Sequence, residues 1–272
     1  MVALSLLKIL VFFVAWIFLW LPIAIPLSDK INYQFPTVPT IRQKLILIAS
    51  LYPFALIIIQ IILRWENLSW LSIGWQWQWQ ELFFLVWGVI LALVSLAITF
   101  GLEFACGLIS WQWQNSHRLL SFILPIFCLS VGISFVEELI FRGFLINELT
   151  QDFPYLLSAI ASSGIFALLH IVWERQTTIP QLPGLWLMGM VLVEAQIIAG
   201  GNIGLAWGLH TGWIFGLSCL DSAELISYNT PEDSLLTGIN RQPLAGIFGI
   251  LCLLLVSGGL LSIKRFGTIN VI

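Results

Sequence analysis

An all-α bundle of about eight helices spanning a membrane is the fold class this sequence predicts, and three observations predict it. Of the 272 residues, 59% are hydrophobic. Only 9% are charged, against about a quarter in a soluble domain. Several apolar runs reach the ~20 residues that a helix needs to cross a ~30 Å hydrocarbon core. A soluble fold has no interior large enough for this much apolar surface. The chain therefore reads as one integral, multi-pass membrane domain over residues 1–272, with membrane lipids as its surroundings.

The first segment covers about residues 9–27. It follows Lys8, is longer than a signal h-region and lacks a clear A-x-A site, so it is expected to be retained. The polar loop SDKINYQFPTVPTIRQK then fits neither a span nor a core helix. Segment two, about 45–63, stops at Arg64. Segment three, about 82–108, lies between WQWQWQ (75–80) and WQWQ (111–114). Trp favours the headgroup level, so these stretches predict belts at opposite interfaces. Segment four, about 119–145, carries VEELIFRG, and segment five covers about 155–173. Segments six and seven, about 184–199 and 203–220, are separated by GGN. A polar stretch with Asp221, Glu224, Glu232, Asp233 and Arg241 precedes segment eight, about 244–263, which Lys264 and Arg265 close.

The charge pattern narrows the function classes. Net charge is −3 and the eleven basic residues are scattered, whereas phosphate binding needs them clustered, so no nucleic-acid partner is expected. The four cysteines lie in apolar segments without CxxC spacing, which predicts buried free thiols. The basic residues divide too evenly between the two sides to orient the chain.

The charges inside segment four are the exception that points to chemistry. An ionised side chain at the centre of a membrane helix costs about 2.5–3.5 kcal/mol, so three of them imply a polar cavity within the membrane. Glu138 and Arg142 are four residues apart and can pair along one helix face. Glu137 is rotated away from that pair and left over. His170 and His210 lie in segments five and seven, while His117 falls in a loop and is expected to be solvated. Glu137, His170 and His210 supply one carboxylate and two imidazoles, the donor set of a hydrolytic zinc site with an open fourth position. The same three can instead position a water without metal, with Glu137 as general base. Phe166, one turn before His170, is placed to pack on its ring. Glu103 and Glu194 are expected at interfaces or in structural hydrogen bonds.

The pattern EExxxR (Glu137, Glu138, Arg142), then FxxxH (Phe166, His170), then His210 followed by Trp213, resembles the CPBP family of CAAX proteases and bacteriocin-processing enzymes, also called Abi. The motif-bearing core is about residues 119–220. The resemblance implies an eight-helix intramembrane endopeptidase acting on a peptide or protein substrate, lipidated in some relatives. It implies that Glu137 activates the water, that Glu138 and Arg142 hold the site in shape, and that His170 and His210 bind zinc or stabilise the oxyanion.

One position departs from the pattern. The third motif usually places Asn or Asp four residues after His210, and this chain has Ile214. Asn202 and Thr211 are the nearby polar groups that can substitute. Two rival readings follow: a catalytically silent relative serving as a membrane scaffold or binding protein, and a proton-coupled transporter, since Glu and His in membrane helices also build proton relays. The chain shows no paired halves of the kind transporters tend to have.

Overall fold

A computed structural model describes residues 4–76 and 78–266. Among them are eight long helices: α1 (Leu4–Lys30), α2 (Ile41–Trp65), α3 (Trp79–Ala105), α4 (Leu119–Glu138), α5 (Tyr155–Leu169), α6 (Leu182–Ile198), α7 (Gly204–Ser222) and α8 (Ile247–Phe266). Each follows an apolar segment of the sequence to within a few residues. One small antiparallel ribbon, β1 (Ile109–Trp111) with β2 (Ile226–Tyr228), pairs Ile109 with Tyr228 and Trp111 with Ile226.

Local chemistry explains where the helices begin and turn. Thr40 caps α2 in a capping box with Gln43, each side chain satisfying the other's backbone N–H. The α6–α7 turn uses Gly200 and Gly201 at φ +70° and +91°, a left-handed backbone that glycine adopts without Cβ strain. The Asn202 side chain then accepts from the Gly204 N–H at 2.7 Å and starts α7.

The helices divide into an outer and an inner set. Among the described residues, six helical stretches are long and apolar enough to cross a membrane, including Leu4–Lys30 and Trp113–Leu149. Helix α7 is not one of them. Its Gly204, Gly208, Gly212 and Gly216 face α3, where a Cβ on Gly208 would stand 2.2 Å from the Leu85 carbonyl oxygen. Small residues at four-residue spacing let two backbones approach closely in lipid, where no hydrophobic force draws helices together. Polar contacts join α7 to its neighbours as well. Trp213 Nε1 donates to Ser95 Oγ at 3.1 Å, Trp207 Nε1 donates to the Val131 carbonyl at 2.9 Å, and the Ser134 and Thr211 hydroxyls meet at 2.6 Å.

Three expectations need correction. Cys219 and Cys252 are buried free thiols, but Cys106 and Cys128 are exposed, because an apolar residue in lipid has no need of the interior. The tryptophan stretches are not uniform belts. Trp79 and Trp113 are exposed, while Trp75 packs on Trp70 and Phe135 at 5.6 Å from each; Trp77 lies outside the described residues. The loop after segment one is shorter than expected, since α1 continues to Lys30 and contains Pro22 and Pro26.

Candidate active site in the membrane

Helix α4 does not end where its α-helical hydrogen bonding ends. It continues through a π-helical stretch, Leu139–Leu145, into the short helix Ile146–Leu149. A π turn shifts the backbone pairing by one residue, and the disturbed carbonyls need other donors at membrane depth. They find them on two other helices. Ser162 Oγ of α5 donates to the Phe141 carbonyl at 2.7 Å, and Gln196 Nε2 of α6 donates to the Arg142 carbonyl at 3.0 Å. The stretch that carries Arg142 is thereby tied to α5 and α6.

Glu138 and Arg142 form the pair their spacing predicts, at 3.1 Å, with exposures of 0% and 1%. A buried pair is best tolerated where its remaining donors and acceptors are occupied, a condition met by Arg142 but not by Glu138 Oε2, which is buried without a hydrogen-bond partner among the described residues. Arg142 Nη2 donates to the Gly189 carbonyl at 3.2 Å, and the guanidinium lies over the Phe166 ring at 4.7 Å. His210 Nδ1 approaches Glu138 Oε1 at 2.7 Å. The carboxylate is already bonded to Arg142 and can only accept, so Nδ1 carries the proton and His210 turns Nε2 away from the pair. That Nε2 faces Glu137 Oε2 at 3.5 Å.

Glu137 itself is 14% exposed, unlike its neighbour Glu138. Its Oε1 accepts a hydrogen bond from the Tyr52 hydroxyl. His170 sits in a short 3₁₀ turn, His170–Val172, that ends α5. Its Nδ1 donates to the Phe166 carbonyl at 2.8 Å, since a carbonyl can only accept, so Nε2 is left with a lone pair. The Phe166 ring packs edge-on against both imidazoles, 4.6 Å from His170 and 5.7 Å from His210.

The fold therefore brings Glu137, Glu138, Arg142 and His210 into direct contact, and Phe166 couples His170 to them. Each imidazole is fixed through Nδ1 and presents Nε2, as imidazoles do when they bind metal. As the side chains stand, no group of three His, Cys, Asp or Glu among the described residues is arranged to hold an ion.

The two substitutes for the missing Asn are engaged elsewhere. Asn202 donates to Glu81 and caps α7, and Thr211 is bonded to Ser134. Ile214 is half-buried on α7. His117 is exposed, as expected. Glu194 accepts from Ser257 of α8 at 2.6 Å, a hydrogen bond between helices. Glu103 is buried near the ribbon, where burial first and Glu103 second push the Tyr228 phenol up to about 12.

Sequence reasoning missed Tyr52, Gln196 and the Gly189 carbonyl. Tyr52 carried a signal, because a phenol in an otherwise apolar span must find a hydrogen-bond partner. The Gly189 carbonyl carried none.

Residues 119–216 match the family model for Rce1-like proteins, the type II CAAX prenyl endopeptidases. No curated protein and no solved structure matches the chain. The matched span holds Glu137, Glu138, Arg142, His170 and His210 and leaves out α1 to α3 and α8. The resemblance that three short motifs suggested is thus supported across this region. With its membrane-length helices, the chain is a multi-pass integral membrane protein, similar over this span to the type II CAAX prenyl endopeptidases.

Proposed function

We propose that the protein is an intramembrane endopeptidase in which Glu137 activates the hydrolytic water. One observation carries this reading. Of the two adjacent carboxylates, Glu138 is consumed by Arg142 and His210, while Glu137 stays partly accessible and faces an imidazole.

The chemistry follows from the roles these positions allow. His170 Nε2 accepts one hydrogen of the water and orients it, and Glu137 takes the other proton as the oxygen attacks the scissile carbonyl carbon. In its doubly protonated form, with Nδ1–H held by Glu138, His210 donates through Nε2–H to the developing oxyanion. Glu138 plays towards His210 the orienting and charge-balancing part that an aspartate plays in a hydrolase triad. Collapse of the tetrahedral intermediate breaks the C–N bond. Glu137 returns its proton to the leaving nitrogen and is regenerated, while the water's second hydrogen stays on the new carboxyl group until it passes to the freed amine, so the products are a carboxylate and an ammonium.

The substrate is a peptide or protein reached within the bilayer or at its surface, and a lipidated C-terminal segment is the form the family match favours. The test uses quenched-fluorescence peptides ending in a farnesylated CAAX sequence, beside identical peptides without the lipid, on native protein in lipid nanodiscs. Cleavage by native protein and none by a folded Glu137→Gln variant is expected. Equal cleavage by both overturns the reading.

Ile214 favours a second reading, a silent relative that binds such segments without cutting them, because Asn202 and Thr211 are both committed elsewhere. Cleavage that appears only in Ile214→Asn would establish it. Cleavage by the native chain would exclude it.

A further inference from the structure

The two carboxylate oxygens of Glu137 are held differently. Oε2 looks toward His210 Nε2 at 3.5 Å. Oε1 receives the Tyr52 hydroxyl. Tyr52 lies on α2, outside the matched span 119–216.

The phenol is itself braced. Its ring packs against Trp16 of α1 at 6.3 Å, and Trp16 Nε1 donates to the carbonyl of Leu51, the residue before Tyr52, at 2.9 Å. Trp16 in turn packs on Phe12 at 5.7 Å, and Phe12 on Phe144 of the π-helical stretch at 4.8 Å. A line of rings thus runs from the stretch that follows Glu137 and Glu138, through α1, to the side chain that bonds Glu137.

We propose that Tyr52 is a positioning residue for the reaction. The terminal torsion of a glutamate is broad and nearly two-fold, so an unanchored carboxylate samples many orientations about its last bond. Tying Oε1 to a braced phenol fixes that rotation and leaves Oε2 as the oxygen presented to His210 and the attacking water. The role rests on Glu137 being the base proposed above. It places part of the catalytic geometry on α1 and α2, outside the motif-bearing helices.

The test is Tyr52→Phe, which keeps the ring and its contact with Trp16 and removes only the hydroxyl. Two quantities are measured: kcat and KM with the peptide probes, and the infrared carboxyl band of Glu137 in substrate-free protein, assigned as the band lost in Glu137→Gln. The expected result is a kcat lowered roughly ten- to a hundredfold, as for a misplaced reacting group, with KM within about twofold and a displaced band. Trp16→Phe, which alters packing but keeps the hydroxyl, is expected to leave the band in place. An undisplaced band in Tyr52→Phe overturns the proposal whether or not a probe is cleaved, and so does a native kcat. Cleavage at the native rate by Glu137→Gln would instead overturn the proposed function itself; an inert Glu137→Gln beside an unaffected Tyr52→Phe would remove only the positioning role.

Discussion

Helices α1 and α7 are both tryptophan-bearing apolar stretches in the sequence, yet they occupy opposite environments. Helix α1 turns Leu6, Leu10, Val14, Ile17 and Phe18 outward. Helix α7 shows no exposed large hydrophobic residue, and its His210 is 2% exposed. Lipid solvates α1, so its outward side chains need only be apolar. Protein solvates α7, so its residues must fit backbone to backbone and bond to bond. Fitness for the membrane is a loose demand on composition, whereas fitness for the interior is a tight one on geometry.

The sharpest way to break this comparison is to remove a buried charge next to α7. Arg142→Ala strands Glu138 in the interior and is expected to cost about 3–5 kcal/mol, read as a large fall in the thermal midpoint in nanodiscs together with lost cleavage. Glu137→Gln, one residue away from Glu138 but partly accessible, is expected to lose cleavage while its thermal midpoint stays close to native. Equal destabilisation by the two variants would mean that the adjacent carboxylates are not divided between structure and chemistry as their exposures indicate.

A smaller effect is expected at the helix contact. Gly208→Val drives a side chain against the Leu85 carbonyl and should cost about 1–3 kcal/mol by overpacking; the same substitution at Gly132, where nothing lies within 4 Å of the added Cβ, should leave the midpoint nearly unchanged. Smaller again, Ser134→Ala removes a hydrogen bond to Thr211 between α4 and α7, worth about 0.6 kcal/mol on the scale measured for interhelical bonds in a membrane. Smallest of all, Leu10→Val on the outer face of α1 should shift stability by less than about 0.5 kcal/mol. A reversed order, with the α1 change exceeding the glycine change, would show that α1 is packed against something more demanding than lipid.

How much of this could be read from the chain differs from residue to residue. The Glu138 and Arg142 pair was legible because a spacing of four on a helix is a local geometric fact. The contact of Phe166 with His170 was legible for the same reason. The stripe of Gly204, Gly208, Gly212 and Gly216 is equally local, and its four-residue spacing marks α7 as a helix that packs closely against another. Tyr52 and Gln196 were not legible as partners of Glu137 and Arg142, because each contact crosses between helices that a hydropathy pattern cannot orient.

The sequence by itself determined that the chain belongs in a membrane, roughly where its helices lie, and which few polar side chains it carries into lipid. Those properties follow from composition and local spacing, which act residue by residue. Only the tertiary structure decided that α7 lies inside while α1 faces lipid, that Glu137 is left accessible beside a sequestered Glu138, and that a phenol from α2 holds the carboxylate of α4. Those outcomes depend on how helices rotate and pack against one another, and that is decided by the sum of many small contacts between residues far apart in the chain.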